Sequence, residues 1–195
     1  MPLLSMSEYE ELARVAHGHL CAGQILGLRM ALMGMRLLGL DDPIGRDRKR
    51  LITYVEIDRC MTDAIGVVTG CRLGKRALKF RDFGKAAATF CDLELDRAVR
   101  IAARESAKDR AREMYPDLAE KNQQQMRAYR EMPEEGLFES QWVRAATPPE
   151  DLPGYKAPRV LCAVCGEGIN FHREIVRDGR PLCRACAGER YYTPL

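Results

Sequence analysis

Near the start of the chain, Tyr9, Leu12 and Val15/Ala16 fall on one face at helical spacing, the stripe of an amphipathic helix. Ser7 followed by Glu10 fits a capping box, so the spacing predicts a helix beginning near Glu8. A more uniformly apolar helical pattern covers 22–38, and the His17-Gly18-His19 step between the two either bends the rod or sits within it. Gly23 and Gly27, four apart, leave room for another backbone to approach, and Gly39 ahead of Asp41-Asp42-Pro43 supplies the stop.

After residue 50 the period changes. Residues 51–57 (LITYVEI) are rich in β-branched and aromatic side chains and read as a strand, while 62–69 (TDAIGVVT) reads as a short helix closed by Gly70. Segments 78–82, 86–92 and 98–102 are further candidate strands, so the order predicts an α+β domain over 1–103. From 104 to 132 the pattern turns charged and helical, with Pro116 placed as the first residue of a second helix. This stretch reads as a helical arm over 104–146. Its apolar residues, with Leu137, Phe138, Trp142 and Val143, are expected to pack on a second copy in a homodimer. Four prolines between Pro148 and Pro158 mark a linker over 147–159, ahead of a cysteine-rich module at 160–195.

Charge adds little. The 31 basic and 28 acidic side chains are mixed along the chain, so no one-signed field points to nucleic acid or an anionic membrane. The most apolar stretch, 20–40, is interrupted by Arg29 and Arg36 and falls short of the roughly 20 apolar residues of a membrane span. The N-terminus lacks the basic and apolar regions of a secretory signal. A cytoplasmic location with reduced thiols is expected, where eight cysteines read as metal ligands or redox groups rather than disulfides.

Cys162-x2-Cys165 and Cys183-x2-Cys186 are separated by 17 residues, the spacing of a four-cysteine zinc site. Four thiolates close a tetrahedron and leave no position for substrate, so this zinc is structural. Two redox-active pairs would need the strand-to-helix turn of a βαβ unit, and none precedes them. Histidine and cysteine also concentrate near the N-terminus, where His17, His19 and Cys21 lie within five residues. On a continuous helix His17 and Cys21 share a face; with an extended step at Gly18 all three point one way. Imidazole with thiolate suits a transition metal such as zinc in an open site, and the alternative is a buried cysteine beside two hydrogen-bonded histidines. Cys60 precedes the helix expected from Thr62, where a helix N-terminus eases ionisation; Cys71, beyond the far end, lacks that help. Glu56 and Asp58 are candidates for orienting a histidine or moving a proton, Asp58 also for capping the helix, and Lys75 for an anionic ligand. Cys91, inside an apolar strand, reads as core.

Together these motifs resemble one family. The pattern His17-Gly-His-x-Cys21-x-Gly23, then Tyr54-Val-Glu56-x3-Cys60-x2-Asp63-Ala64-Ile65-x3-Thr69-Gly70-Cys71-x2-Gly74-Lys75, then Asp82-Phe-Gly-Lys85 is similar to the FmdE component of molybdenum or tungsten formylmethanofuran dehydrogenase, over about residues 10–105. The stretch CAVCGEGINFHREIVRDGRPLCRACAG resembles a zinc finger of the DksA/TraR type. The resemblance implies an α-β-α-β-β-β core with a mixed sheet, like that of the glyceraldehyde-phosphate dehydrogenase catalytic domain. It also implies a second metal pocket made by His17, His19, Cys21 and Cys60, with Cys71 a further possibility. Three functions follow: an accessory or stand-alone homologue tied to one-carbon metabolism, whose partners would be the other components of the dehydrogenase; a free-standing metal- or thiol-dependent enzyme using Cys60, Glu56 or Lys75; and a zinc-finger regulator. The last is weakened for nucleic acid by only six arginines against four acids over 159–190.

Overall fold

The computed structural model describes residues 2–195, in two compact units that meet between Ala146 and Thr147. In the first unit, helix α1 (Met6–His17) is capped by Ser5 rather than Ser7: the Ser5 hydroxyl accepts from the Glu8 amide, and the Glu8 carboxylate accepts from the Ser5 amide at 2.8 Å. Both serines have a glutamate three residues on. Starting at Ser5 sets Leu4 before the cap and Tyr9 at the fourth helical position, and both pack into the core, the arrangement of a hydrophobic staple. Gly18, at φ +92°, ends α1, and α2 (Ala22–Leu38) starts afresh at Cys21, so the step between the histidines is a bend.

Next come β1 (Leu51–Val55), α3 (Cys60–Thr69), a tight turn at Leu73–Lys75, β2 (Leu78–Phe80), β3 (Ala87–Asp92) and β4 (Arg97–Ala103). The backbones of α2 and α3 touch. A Cβ added at Gly27 would overlap the Met61 carbonyl oxygen, and one at Gly34 would lie 2.5 Å from the Phe90 ring. The stripe of small residues is therefore what lets one face of α2 pack closely on both α3 and the sheet.

Residues 104–146 are not an arm. They form α4 (Ser106–Met114), α5 (Lys121–Glu131), α6 (Glu134–Leu137) and β5 (Phe138–Val143), and they fold in the same unit as 1–103. Ala107, Ala111, Ala128, Tyr129, Met132, Leu137 and Phe138 are buried in the core that holds Ile25, Leu28 and Ile65. The apolar groups for which a second copy was expected are thus mostly covered by the chain itself, although Trp142 stays 54% exposed. Alanines carry little hydrophobic signal among charged neighbours, which hid this face in the sequence. Arg29, one of the two arginines within α2, donates to the carbonyls of Tyr129 at 2.6 Å and Met132 at 2.5 Å and so ties α2 to the end of α5. Pro116 lies in the turn between α4 and α5 rather than at a helix start; Gln124 holds that turn by donating to the Tyr115 and Leu118 carbonyls.

The five strands form a mixed sheet in the order β2-β1-β3-β4-β5, parallel only between β1 and β2. Alternation along β1 sends Leu51 and Val55 to the helix-covered core, and Ile52 and Tyr54 to a smaller cluster with Cys91 and Ala98 on the other face. No helix among the described residues is long and apolar enough to cross a membrane.

The second unit is nearly all turn, with two short pairings, β6 (Val160–Leu161) with β7 (Gly168–Ile169) and β8 (Ile175–Arg177) with β9 (Arg180–Leu182). Asp178 and Gly179 both take positive φ and close the β8–β9 hairpin. Its buried apolar residues among those described are Cys162, Ile169 and Ala187.

Candidate metal centres

In the second unit the sulfurs of Cys162, Cys165, Cys183 and Cys186 all lie within 4.8 Å of one another. The Cys165–Cys183 separation is 3.9 Å, close to the edge of about 3.8 Å that a tetrahedron of 2.3 Å zinc–sulfur bonds requires. The backbone amides of Cys165, Cys183 and Val164 lower the Cys162 thiol to about 6, while the hydrogen bond with Cys183 pushes the Cys186 thiol up to about 12. The donor chemistry and spacing fit zinc. Positive φ at Gly166 turns the chain after the first pair.

In the first unit the bend between α1 and α2 gathers the other donors. His17 is the last residue of α1 and Cys21 the residue before α2, and one ligand atom each from His17, His19 and Cys21 lie within 4.8 Å of one another. The two imidazole rings are 4.9 Å apart between centroids. His17 Nδ1 is 2.8 Å from Asp63 Oδ2 of α3, so donation from Nδ1 leaves Nε2 with the lone pair a metal needs. Cys60, the first residue of α3, has its thiol near Cys21 but lies outside the group of three. Gly23 fits this corner, since a Cβ there would be 3.3 Å from Cys60 Cβ and 3.8 Å from Cys21 Sγ. Asn122 of α5 accepts from the Ala22 amide at 3.0 Å and holds the start of α2. His17, Cys21 and Cys60 are partly exposed and His19 is exposed, so the group faces solvent.

Several expectations change here. Burial, then the Cys21 thiol, push the Cys60 thiol up, against the lowering expected of a helix N-terminus. Cys71 is not a ligand: it is buried against β1, its sulfur 3.5 Å from Thr53 Oγ1 and 3.8 Å from the Leu51 carbonyl oxygen, and burial raises its thiol. Glu56 lies on the other sheet face, in a two-pronged ion pair with Arg100 at 2.7 Å, and orients no histidine. Arg59, not Asp58, precedes α3, and no side chain caps it. Lys75 is exposed at the opposite end of α3 from Cys60, about 15 Å of helix away. Cys91 is core, its thiol pushed up to about 12 by burial. Asp63 and Asn122 were missed as supports of the site. Asp63 had a signal, since it sits three residues after Cys60 in the motif; Asn122 had none.

These donor sets define a metal-binding protein of mixed α/β architecture. Residues 16–139 match the model of FmdE, described by the molybdenum formylmethanofuran dehydrogenase operon, and 155–192 match the prokaryotic dksA/traR C4-type zinc finger. The chain belongs to the FmdE family. The matched span runs through α4 and α5, in keeping with their place in the core. A probable S-adenosyl-L-methionine-binding protein of Archaeoglobus fulgidus is 30% identical over 206 residues, which cover 92% of this chain and 52% of that protein. The chain thus spans about half the length of that relative. A crystal structure of a tungsten formylmethanofuran dehydrogenase FmdE-like protein from Syntrophus aciditrophicus has the same fold, with a TM-score of 0.64 at 21% identity over 97% of this chain and 96% of that one.

Proposed function

We propose that His17, His19 and Cys21 hold a second metal ion, zinc, and that the chain acts as an accessory or stand-alone homologue of the dehydrogenase's FmdE component in one-carbon metabolism. The observation that carries this is the convergence of three ligand atoms of suitable chemistry at a solvent-facing bend. Such an ion supplies Lewis acidity at one open position, where a water or substrate thiol would bind with a lowered pKa. The chain's own part is positional. Asp63 fixes the His17 ring, Asn122 and Gly23 fix the start of α2, and Cys60 stands beside Cys21, either to complete the donor set or to hold a proton next to it.

Metal analysis of the full chain tests this, with the four-cysteine zinc as internal reference. About two zinc ions per chain are expected for the native protein and about one for His19→Ala or Cys21→Ser; unchanged stoichiometry in both variants would leave a thiol pocket without metal. Co-purification with a molybdenum or tungsten protein separates the accessory role from the stand-alone one. The ligand named for the archaeal relative gives a second reading, supported by identity along 92% of this chain. Equilibrium dialysis with labelled S-adenosyl-L-methionine tests it.

A further inference from the structure

Six of the eight cysteines are taken up by the four-sulfur group or by burial. Four face one another in the second unit, and Cys71 and Cys91 are packed inside the first. Cys21 and Cys60 are the other two. Both are partly exposed, and their thiols lie near each other. Two neighbouring thiols within reach of solvent have a reaction that a lone or buried thiol lacks: oxidation can join them in one covalent bond.

The pair is brought together by the packing of α2 on α3. A Cβ added at Gly23, two residues after Cys21, would lie 3.3 Å from the Cys60 Cβ and 3.8 Å from the Cys21 sulfur. The two cysteines thus border one small space that the bare Gly23 keeps open. One turn further on, the backbones of α2 and α3 touch at Gly27 and Met61, so the core holds this corner closed. Each cysteine also stands at the end of its element. Cys21 is extended, at φ −141° and ψ 168°, and follows the non-helical step 18–20; Cys60 follows the non-helical step 56–59. A disulfide needs Cα atoms within about 7 Å and Cβ atoms about 4 Å apart. Element ends can make the small adjustment this asks, which a helix interior resists.

We propose that Cys21 and Cys60 are a redox pair, and that oxidation to a disulfide withdraws Cys21 from the donor set at the bend. With hydrogen peroxide as oxidant the steps balance. One thiol reduces the peroxide to water and becomes a sulfenic acid; the other thiol displaces its hydroxyl as a second water and closes the sulfur–sulfur bond. A dithiol reductant returns both thiols. In the disulfide the Cys21 sulfur is no longer a thiolate, so the bend keeps two imidazoles and loses its sulfur donor. The consequence for metal rests on the reading that His17, His19 and Cys21 hold zinc, whereas the disulfide itself does not.

The test is to treat the folded full-length protein with hydrogen peroxide, block free thiols with iodoacetamide in denaturant, and digest with trypsin without reduction. Trypsin releases Cys21 in peptide 15–29 and Cys60 in peptide 60–72, which also carries Cys71. The expected product is a joined peptide two hydrogens lighter than the pair, linked at Cys60 and parted by dithiothreitol. Cys60→Ser should lose the link and let Cys21 go on to the sulfinic acid, which dithiothreitol does not reverse. Cys71→Ser should keep the link. Zinc counted before the oxidant is added tests the metal reading separately. A fall from about two ions per chain to about one on linkage supports both; about one at the outset, with the link formed, supports the redox pair and sinks the second metal. The proposal is overturned by no joined peptide, by a link through Cys71, by irreversible oxidation of Cys21 in the native protein as in Cys60→Ser, or by about two zinc ions retained in the linked protein.

Discussion

In the C-terminal unit four cysteines arrive as two pairs 17 residues apart and surround one point, whereas in the N-terminal unit His17, His19 and Cys21 come from a single bend whose surroundings are supplied by α3 and α5. The first group is held by little else: Cys162, Ile169 and Ala187 are the buried apolar residues of its unit among those described. A core that small cannot offset the entropy of ordering the chain, so the metal is part of the fold. The second group sits on a core that includes Ile25, Leu28, Ile65 and Phe90. There the fold stands by itself, and the proposed metal would be an occupant. Two donor sets of similar atoms thus have opposite relations to stability.

The largest expected effect comes from exhaustive chelation of the full chain. Amides over 160–187 should lose their protection from hydrogen exchange, because structural zinc contributes on the order of 10 kcal/mol in such modules, while β1, β3 and α2 stay protected. Protection that persists over 160–187 would sink the structural role. A smaller effect is expected from Gly27→Ala, whose Cβ would overlap the Met61 carbonyl oxygen. Separating α2 from α3 should cost about 3 kcal/mol in denaturant unfolding of the first unit. It should also cost the second metal, since Cys60 and Asp63 move away from His17 and Cys21, with the first metal retained. Equal loss of both metals would break the comparison.

The smallest effect, and the sharpest, is expected from Asp63→Ala. Freed from Asp63, the His17 ring should hold zinc about 10- to 100-fold more weakly. Overall stability should change by less than about 1 kcal/mol, because the carboxylate is 59% exposed. Competition with a zinc chelator reads the affinity and thermal unfolding reads the stability. A stability loss without an affinity loss would make the pair structural only.

The readings that needed only local spacing agree with the structure where the physics is local. Four cysteines in two turns lie together because each turn aims its own pair; at Gly18 the spacing allowed either a bend or a continuous rod, and φ +92° makes it a bend. Even there a choice between near-equal signals went elsewhere: Ser5 and Ser7 both begin a capping box, and the burial of Leu4 with Tyr9 favours the first.

By itself the sequence determined the four-cysteine site, the gathering of His17, His19 and Cys21, and the strands and helices of the first 103 residues, because turn chemistry and hydrophobic period act over a few residues. Only the tertiary structure decided which side of the sheet the helices cover. That choice sends Glu56 to Arg100, and Cys71 is packed against β1, away from the metal group. It also brought in Asp63 and Asn122, 46 and 100 residues from the groups they support, and it buried the alanines of α4 and α5. An alanine face has almost no period to read until a partner surface covers it, and a strand's alternation says which residues share a face without saying which face lies inside.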